Sequence, residues 1–363
     1  MAEKNEELYR YLEIVELSDE SIDFEPVNLE IEEEMMIQIL KDMVDTSWGR
    51  NTLNRESIGR WLDNFKGFAF DIGYERKLAL ILAMHIVYYN ENDICYLVKI
   101  AYRKLLHEIM EKQGGNIDSA AESIAFYPLG SVSESGPFLS YYFRKENNLS
   151  IDFFVNSIDS VLNIPHVKNI VLLDDVSISG GQASWYMKKI KKQEIVWEKF
   201  SKDKSFYALF LISTLKAQQK LEQEGIQLCT PILMDERSQC FEEESAIYKI
   251  FDTSIRNTLR VQSKYMAQLY GYKLLQKQYR YNGEIQRLVD EKRTPEYIKR
   301  KIEKDALGYD DSQVLIAFEY NTPNNCLPIM WVENDDWKPL FKRYEKLYTA
   351  HVVGGIKNET VYI

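Results

Sequence analysis

Asn169-Ile170-Val171-Leu172-Leu173-Asp174-Asp175-Val176-Ser177-Ile178-Ser179-Gly180-Gly181-Gln182 is the stretch on which the fold turns. Residues 170–173 are an unbroken apolar run, the pattern of a strand buried on both faces of a parallel sheet. The run ends in two adjacent carboxylates, and open α/β sheets bind ligands beyond the carboxyl ends of their strands. Side chains alternate along a strand. Only one of Asp174 and Asp175 therefore faces straight into a crevice, unless the strand has already begun to turn. Residues 177–181 are small, carry two hydroxyls and run into a helix start. Such a loop can offer backbone N–H groups and hydroxyls to a phosphate, aided by the helix dipole. Acids beside a phosphate cradle suit a sugar phosphate. The carboxylates accept ribose hydroxyl hydrogen bonds or hold Mg²⁺ through water, while Ser177, Ser179, Gly180, Gly181 and Gln182 take the phosphate. The alternative is an ordinary Gly-Gly turn before a helix.

Outward from this stretch, strands alternate with helices. Residues 123–129, 169–176, 206–213 and 226–234 read as strands; 184–192, 215–224 and a stretch from Phe138 read as helices. That order predicts a parallel sheet covered on both faces. Upstream, Met36, Ile39, Leu40 and Met43, then Ile58, Trp61, Leu62 and Phe65, recur at helical spacing, and 78–89 and 94–110 extend the helical texture. The break at 90–93 offers Asn92 or Asp93 as a helix cap. Downstream, 242–304 is helical with breaks at Asn282-Gly283 and Thr294-Pro295. Strands are expected at 313–319 and 327–332. The expected division is an acidic arm (1–34), an all-helical domain (35–118) and an α/β domain (119–363) with a helical insertion at 242–306.

The 363 residues are 45% hydrophobic and 28% charged, which excludes collagen-like, mucin-like and disordered classes. Cys95, Cys229, Cys240 and Cys326 are far apart with no CxxC pair, so neither a disulfide framework nor a zinc ribbon is expected. The opening MAEKNEELYR is acidic and polar, unlike a secretory leader. The longest apolar stretch, Leu78–Tyr89, is too short for the ~20 residues a membrane span needs. A cytoplasmic protein without membrane contact is the expectation. The net charge of −11 is concentrated in residues 1–45, with 15 acidic and 3 basic side chains. This terminus is either solvated or a docking segment. Residues 273–304 reverse the bias with 10 basic and 5 acidic residues, and Lys188, Lys189, Lys191 and Lys192 form a second group. Either group is able to meet nucleic-acid phosphates or to be a solvated helix face. The four histidines show no metal spacing, and no GxSxG, HExxH, P-loop or GxGxxG string occurs.

The stretch 169–182 resembles the 5-phosphoribosyl-1-pyrophosphate (PRPP) signature of type I phosphoribosyltransferases. It departs from that signature at Ser177, at Ile178 where a hydroxyl is usual, and at Gln182 where Thr or Ser is usual. In those enzymes a loop after the first core strand lines the pyrophosphate. Gly130, Ser131, Ser133, Ser135 and Gly136 occupy the matching place, and Arg144 follows as the first cation. A mobile catalytic loop belongs at 145–165, where no recognisable counterpart is present. A third piece, Val314–Trp331 with Glu319, Asn321, Asn324 and Asn325 at its polar turn, completes the likeness. Together these segments are similar to the phosphoribosyltransferase-like effector family of bacterial conflict and anti-phage systems, including some retron modules. The resemblance implies a type I transferase-like fold, a defence role with a toxic output, and a phosphoribosyl or nucleotide-like ligand. It also implies a defence-system protein partner. In it Asp174 and Asp175 serve as catalytic or Mg²⁺-holding acids, and Asn321, Asn324 and Asn325 close over a base or acceptor. The rival expectation is a catalytically degenerate sensor or assembly subunit that keeps the pocket for binding only, bound in some settings to a reverse transcriptase–nucleic acid complex.

Overall fold

The computed structural model describes residues 2–14, 22–49, 52–130, 135–161, 164–193, 197–198 and 202–343. Helices α1 (Ala2–Glu13), α2 (Glu33–Met43), α3 (Arg55–Leu62) and α4 (Ile72–Met84) lead to a short strand, β1 (Val87–Tyr89). Helices α5 (Glu91–Gln113) and α6 (Ile117–Glu122) bring the chain to its sheet. There β2 (Ile124–Pro128), α7 (Ser135–Glu146), β3 (Asn169–Ser177), α8 (Gly181–Lys191), β4 (Ser205–Thr214), α9 (Leu215–Gln223), β5 (Ile226–Cys229) and β6 (Ile232–Met234) follow. Helices α10 (Thr253–Tyr281), α11 (Glu284–Asp290) and α12 (Pro295–Asp305), strand β7 (Ile316–Phe318) and helix α13 (Pro328–Trp331) complete the order.

Local chemistry sets the boundaries. Asn90, rather than Asn92 or Asp93, caps α5: its side chain accepts the N–H groups of both, and Asp93 returns a bond to the Asn90 N–H. Thr294 caps α12 with Pro295 in the first turn, where a missing N–H costs nothing. The same logic overturns the strand expected at 327–332. Pro328 opens the short helix α13 there instead. The strand expected over 226–234 is split around Pro231, which has no N–H to give. Both halves keep one offset against β4, Leu209 opposite Cys229 and Ile212 opposite Ile232. The helical reading of 78–89 stops at Met84, and Val87–Tyr89 pairs in parallel with Ile316–Phe318.

The main sheet runs β2-β3-β4-β5 and is parallel throughout. Phe154 bridges Phe126 in parallel on the other edge of β2. The chain leaving β2 therefore moves outward over α7, then reverses and returns to β3 on the opposite side of β2. Helices α5, α6 and α7 cover one face, over Val171, Leu173 and Leu209. Helices α8 and α9 cover the other, over Ile170, Leu172 and Phe210. The carboxyl ends of β2 and β3 are thus a topological switch point, where an open crevice forms.

A third core joins α1–α4 to the helices after the sheet, through residues such as Leu12, Trp61, Tyr270, Ile298 and Trp331. Helix α5, which the sequence groups with the N-terminal helices, packs on the sheet instead. The first helix of the acidic arm is docked, with Leu12 fully buried and the Tyr272 hydroxyl donating to the Leu12 carbonyl. All four cysteines are unpaired. Among the described residues, no helix is long and apolar enough to cross a membrane.

Candidate functional site

Period-two alternation along β3 carries through to the acid pair. Val171 and Leu173 lie under α5–α7, and Asp175 continues their row; Ile170 and Leu172 face α8 and α9, and Asp174 continues theirs. Both carboxylates are buried, at 4% exposure each. Asp174 Oδ1 accepts from the Ser135 hydroxyl at 2.6 Å and from the Asp175 N–H at 2.9 Å. Asp175 accepts from the Val176 N–H at 2.8 Å and from the Tyr320 hydroxyl at 3.1 Å. Among the described residues no cationic side chain pairs with either acid.

Two like charges taken from water beside each other resist ionisation. Burial, and then the charge of Asp175, holds the Asp174 carboxyl well above the usual carboxylate range. Burial raises Asp175 as well. Burial followed by the Asp175 charge pushes the Tyr320 phenol up. The pair is short of positive charge, which a proton, a metal cation or donated hydroxyl hydrogen bonds would supply. Among the described residues no group of three or more His, Cys, Asp or Glu side chains is placed to hold a metal. Two carboxylates with oxygens supplied by water and phosphate are nevertheless the habitual set for Mg²⁺.

Ser135 reaches Asp174 because α7 starts hard against the sheet. A Cβ on Gly136 would lie 2.2 Å from the Leu129 carbonyl oxygen, so only glycine permits this approach. Across the switch point, the Ser213 hydroxyl donates to the Ser177 carbonyl at 2.9 Å and the Thr214 hydroxyl to the Ile178 carbonyl at 2.6 Å. The end of β4 thereby ties down two loop carbonyls that would repel an anion. Gly180 turns the chain into α8 with φ +66°, a left-handed conformation natural to glycine, and as the N-cap residue it has no side chain to bond the helix start. The Gly181 N–H is held by the Ser179 hydroxyl at 3.3 Å. The start of an 11-residue helix whose N-cap is glycine is suited to an anion.

A cleft of about 460 Å³ opens at this loop, lined by Ser179 and Gly181 on one side and by α12 on the other. A model of the PRTase-CE family matches residues 58–343. The chain belongs to the PRTase-CE family. Its domain is therefore phosphoribosyltransferase-like, and its parallel sheet flanked by helices is the architecture expected of one. No curated protein and no solved structure matches the chain.

The PRTase-CE fold gathers some of the sequence-derived residues and separates others. Asp174, Asp175, Ser135 and Gly136 meet at the ends of β2 and β3; Ser177, Ser179, Gly180, Gly181 and Gln182 form the adjoining loop; Gly130 lies two residues beyond β2. Ser131 and Ser133 lie outside the described residues. Arg144 is nine residues along α7 from Ser135, about 13 Å of helix rise from the acids. Asn321 closes a tight turn with Phe318 through backbone bonds in both directions. The Asn324 carbonyl accepts the Tyr309 N–H at 3.0 Å, and the Asn325 amide donates to the Tyr309 carbonyl and the Ser312 hydroxyl. These three residues shape the turns that bring in Tyr320 and Tyr309. Glu319 accepts the Glu91 N–H at 2.6 Å at the start of α5.

Tyr320 is the contact the sequence did not disclose. It stands one residue before the asparagines, and its position beside Asp175 depends on the turn at 318–321 and on a tilted ring contact with Phe138, centroids 4.6 Å apart. Many cations of 273–304 are engaged within the molecule: Lys277 with Asp336, Arg287 with Glu284 and Glu291, Arg280 over Tyr9 and Lys299 over Tyr11.

Proposed function

We propose that this PRTase-CE protein binds a phosphoribosyl or nucleotide-like ligand and acts on its glycosidic carbon, as an effector with a toxic output in bacterial anti-phage defence. The observation that carries this is the buried Asp174–Asp175 pair at the switch point, without a cationic partner among the described residues and one loop away from a helix start whose N-cap is glycine. In this reading the loop 177–182 holds a phosphate, and the acid pair accepts the ribose hydroxyls or holds Mg²⁺. Bound there, the metal would supply charge neutralisation for a departing pyrophosphate. Ser135 and Tyr320 orient the carboxylates by donating one hydrogen bond to each.

A second reading, a ligand-gated sensor or assembly subunit, has its own support. Type I transferases place a mobile loop between the first core strand and the signature strand. Here Phe154 is bridged to β2, the Val155 N–H donates to the Phe126 carbonyl at 2.9 Å, and Ile158 and Val161 are buried. Calorimetry with PRPP and nucleotides, with and without Mg²⁺, combined with product analysis, separates the two. Turnover that disappears in Asp175→Asn supports the enzyme, and binding without turnover supports the sensor. Failure of every such ligand to bind would remove both.

A further inference from the structure

The cleft at the phosphate loop is built largely by the helical insertion. Its lining includes four cations, Lys220, Arg300, Lys301 and Lys304, against two carboxylates, Asp305 and Asp310. Both carboxylates are already matched. Asp305 is bound by Lys301 at 2.7 Å and by the Tyr279 hydroxyl at 2.7 Å; Asp310 is held by Lys304 and lies 3.6 Å from Lys216. Lys220 and Arg300 make no hydrogen bond or ion pair among the described residues; Lys220 attracts Asp310 and Arg300 attracts Glu296 only at longer range, which leaves their N–H donors for a ligand.

Their positions are informative. Lys220 comes from α9, and its Nζ lies 3.8 Å from where a Cβ on Gly181 would be, over the start of α8. Arg300 comes from α12, on the other wall. A volume of about 460 Å³ equals the liquid volume of about fifteen waters, so one phosphoryl group would leave most of the cleft empty. A cleft of this volume is the size of a small-molecule site, whereas a polynucleotide would need a continuous basic track.

We propose that this cleft takes a diphosphate: the ligand's 5′ end carries two linked phosphoryl groups, one at Ser179 and Gly181 and the next between Lys220 and Arg300. This rests on the reading of residues 177–182 as a phosphate loop and specifies the class of ligand, a nucleoside diphosphate rather than a monophosphate. Bidentate guanidinium recognition at Arg300 and the point charge of Lys220 suit that division of labour.

The test is calorimetry on the full chain with AMP and ADP as probes. ADP should bind about tenfold more tightly than AMP, the worth of one added charge-assisted hydrogen-bonded contact. Arg300→Ala should bring ADP down to the AMP level, whereas Lys220→Ala should weaken both probes. Lys202→Ala, near the amino end of β4, should leave both unchanged and so excludes a general effect of net charge. Thermal melting of each variant establishes that it is folded. Equal affinity for ADP and AMP in the wild type, or an Arg300→Ala variant that still discriminates, would overturn the proposal while leaving the phosphate loop standing. If AMP, ADP and PRPP all fail to bind, the loop reading falls and this one with it. A 5′-phosphorylated oligonucleotide that displaces ADP at concentrations below the ADP dissociation constant would overturn it in favour of a polynucleotide.

Discussion

The Tyr320 hydroxyl donates to the Asp175 carboxylate at 3.1 Å, joining residues 145 positions apart. The bond fastens the segment after β7 onto the carboxyl end of β3. Among the described residues Tyr320 is the side-chain donor that reaches Asp175 from outside the main sheet's strands and α7. Tyr320→Phe keeps the ring contact with Phe138 and removes only the hydroxyl. The expected cost is about 1–2 kcal/mol, the penalty for a buried acceptor losing its partner, read as a fall in denaturation midpoint. An unchanged midpoint would mean that the bond contributes nothing.

The acid pair works in the opposite direction. Asp174→Asn replaces a carboxyl that must either stay charged beside Asp175 or take up a proton on folding, and keeps an oxygen for Ser135 and for the Asp175 N–H, so the fold should gain about 1–2 kcal/mol near neutral pH. Loss of stability in this variant would contradict the account of the pair as charge-strained.

A pH dependence follows with a definite sign. The Asp174 carboxyl is raised in the folded protein, so the folded state holds a proton that the unfolded state releases. Stability associated with that proton is complete below the ordinary carboxylate range and is lost as pH rises through the raised folded value. The gap in melting temperature between Asp174→Asn and wild type should therefore widen from pH 4 to pH 8. A constant gap would indicate that Asp174 titrates normally.

Gly136→Ala tests the seating of α7. The new methyl would lie 2.2 Å from the Leu129 oxygen, and backbone must shift. A cost of about 3 kcal/mol, at the upper end for overpacking, is expected in denaturant unfolding. Binding of any phosphorylated ligand should weaken as well, because Ser135 moves with the helix.

Docking of α1 has its own test. Leu12 is fully buried against the C-terminal helices. Leu12→Ala should cost about 2–4 kcal/mol and expose the first 14 residues to limited proteolysis. Full protease resistance in the variant would show that other contacts hold the arm.

The ends of the main strands and of the long helices were legible in the sequence because local chemistry marks them. The apolar run at 170–173, Asn282-Gly283 and Thr294-Pro295 punctuate the chain within a residue or two of the observed boundaries. The misread segments are those where proline has two meanings. Pro328 reads as a residue at a strand end yet starts α13, and Pro231 interrupts a strand without changing its register. Helix α5 was indistinguishable from its upstream neighbours, because an amphipathic face records that it is buried but not against what.

At the site, adjacency along the chain supplied the acid doublet and the loop, since residues 174–182 are close in space wherever the strand ends. By itself, then, the sequence determined a parallel β-strand finishing in two carboxylates, a small-residue turn into a helix, and the surrounding alternation of strands and helices, all of which are short-range consequences of side-chain size, polarity and hydrogen bonding. Only the tertiary structure decided that both acids are buried with no cationic partner among the described residues, that Ser135 and Tyr320 hold them, and that Lys220 and Arg300 line one cleft at the loop. Those relationships join segments separated by up to 145 residues, and a charge is tuned by whatever the packed chain brings within a few ångströms of it.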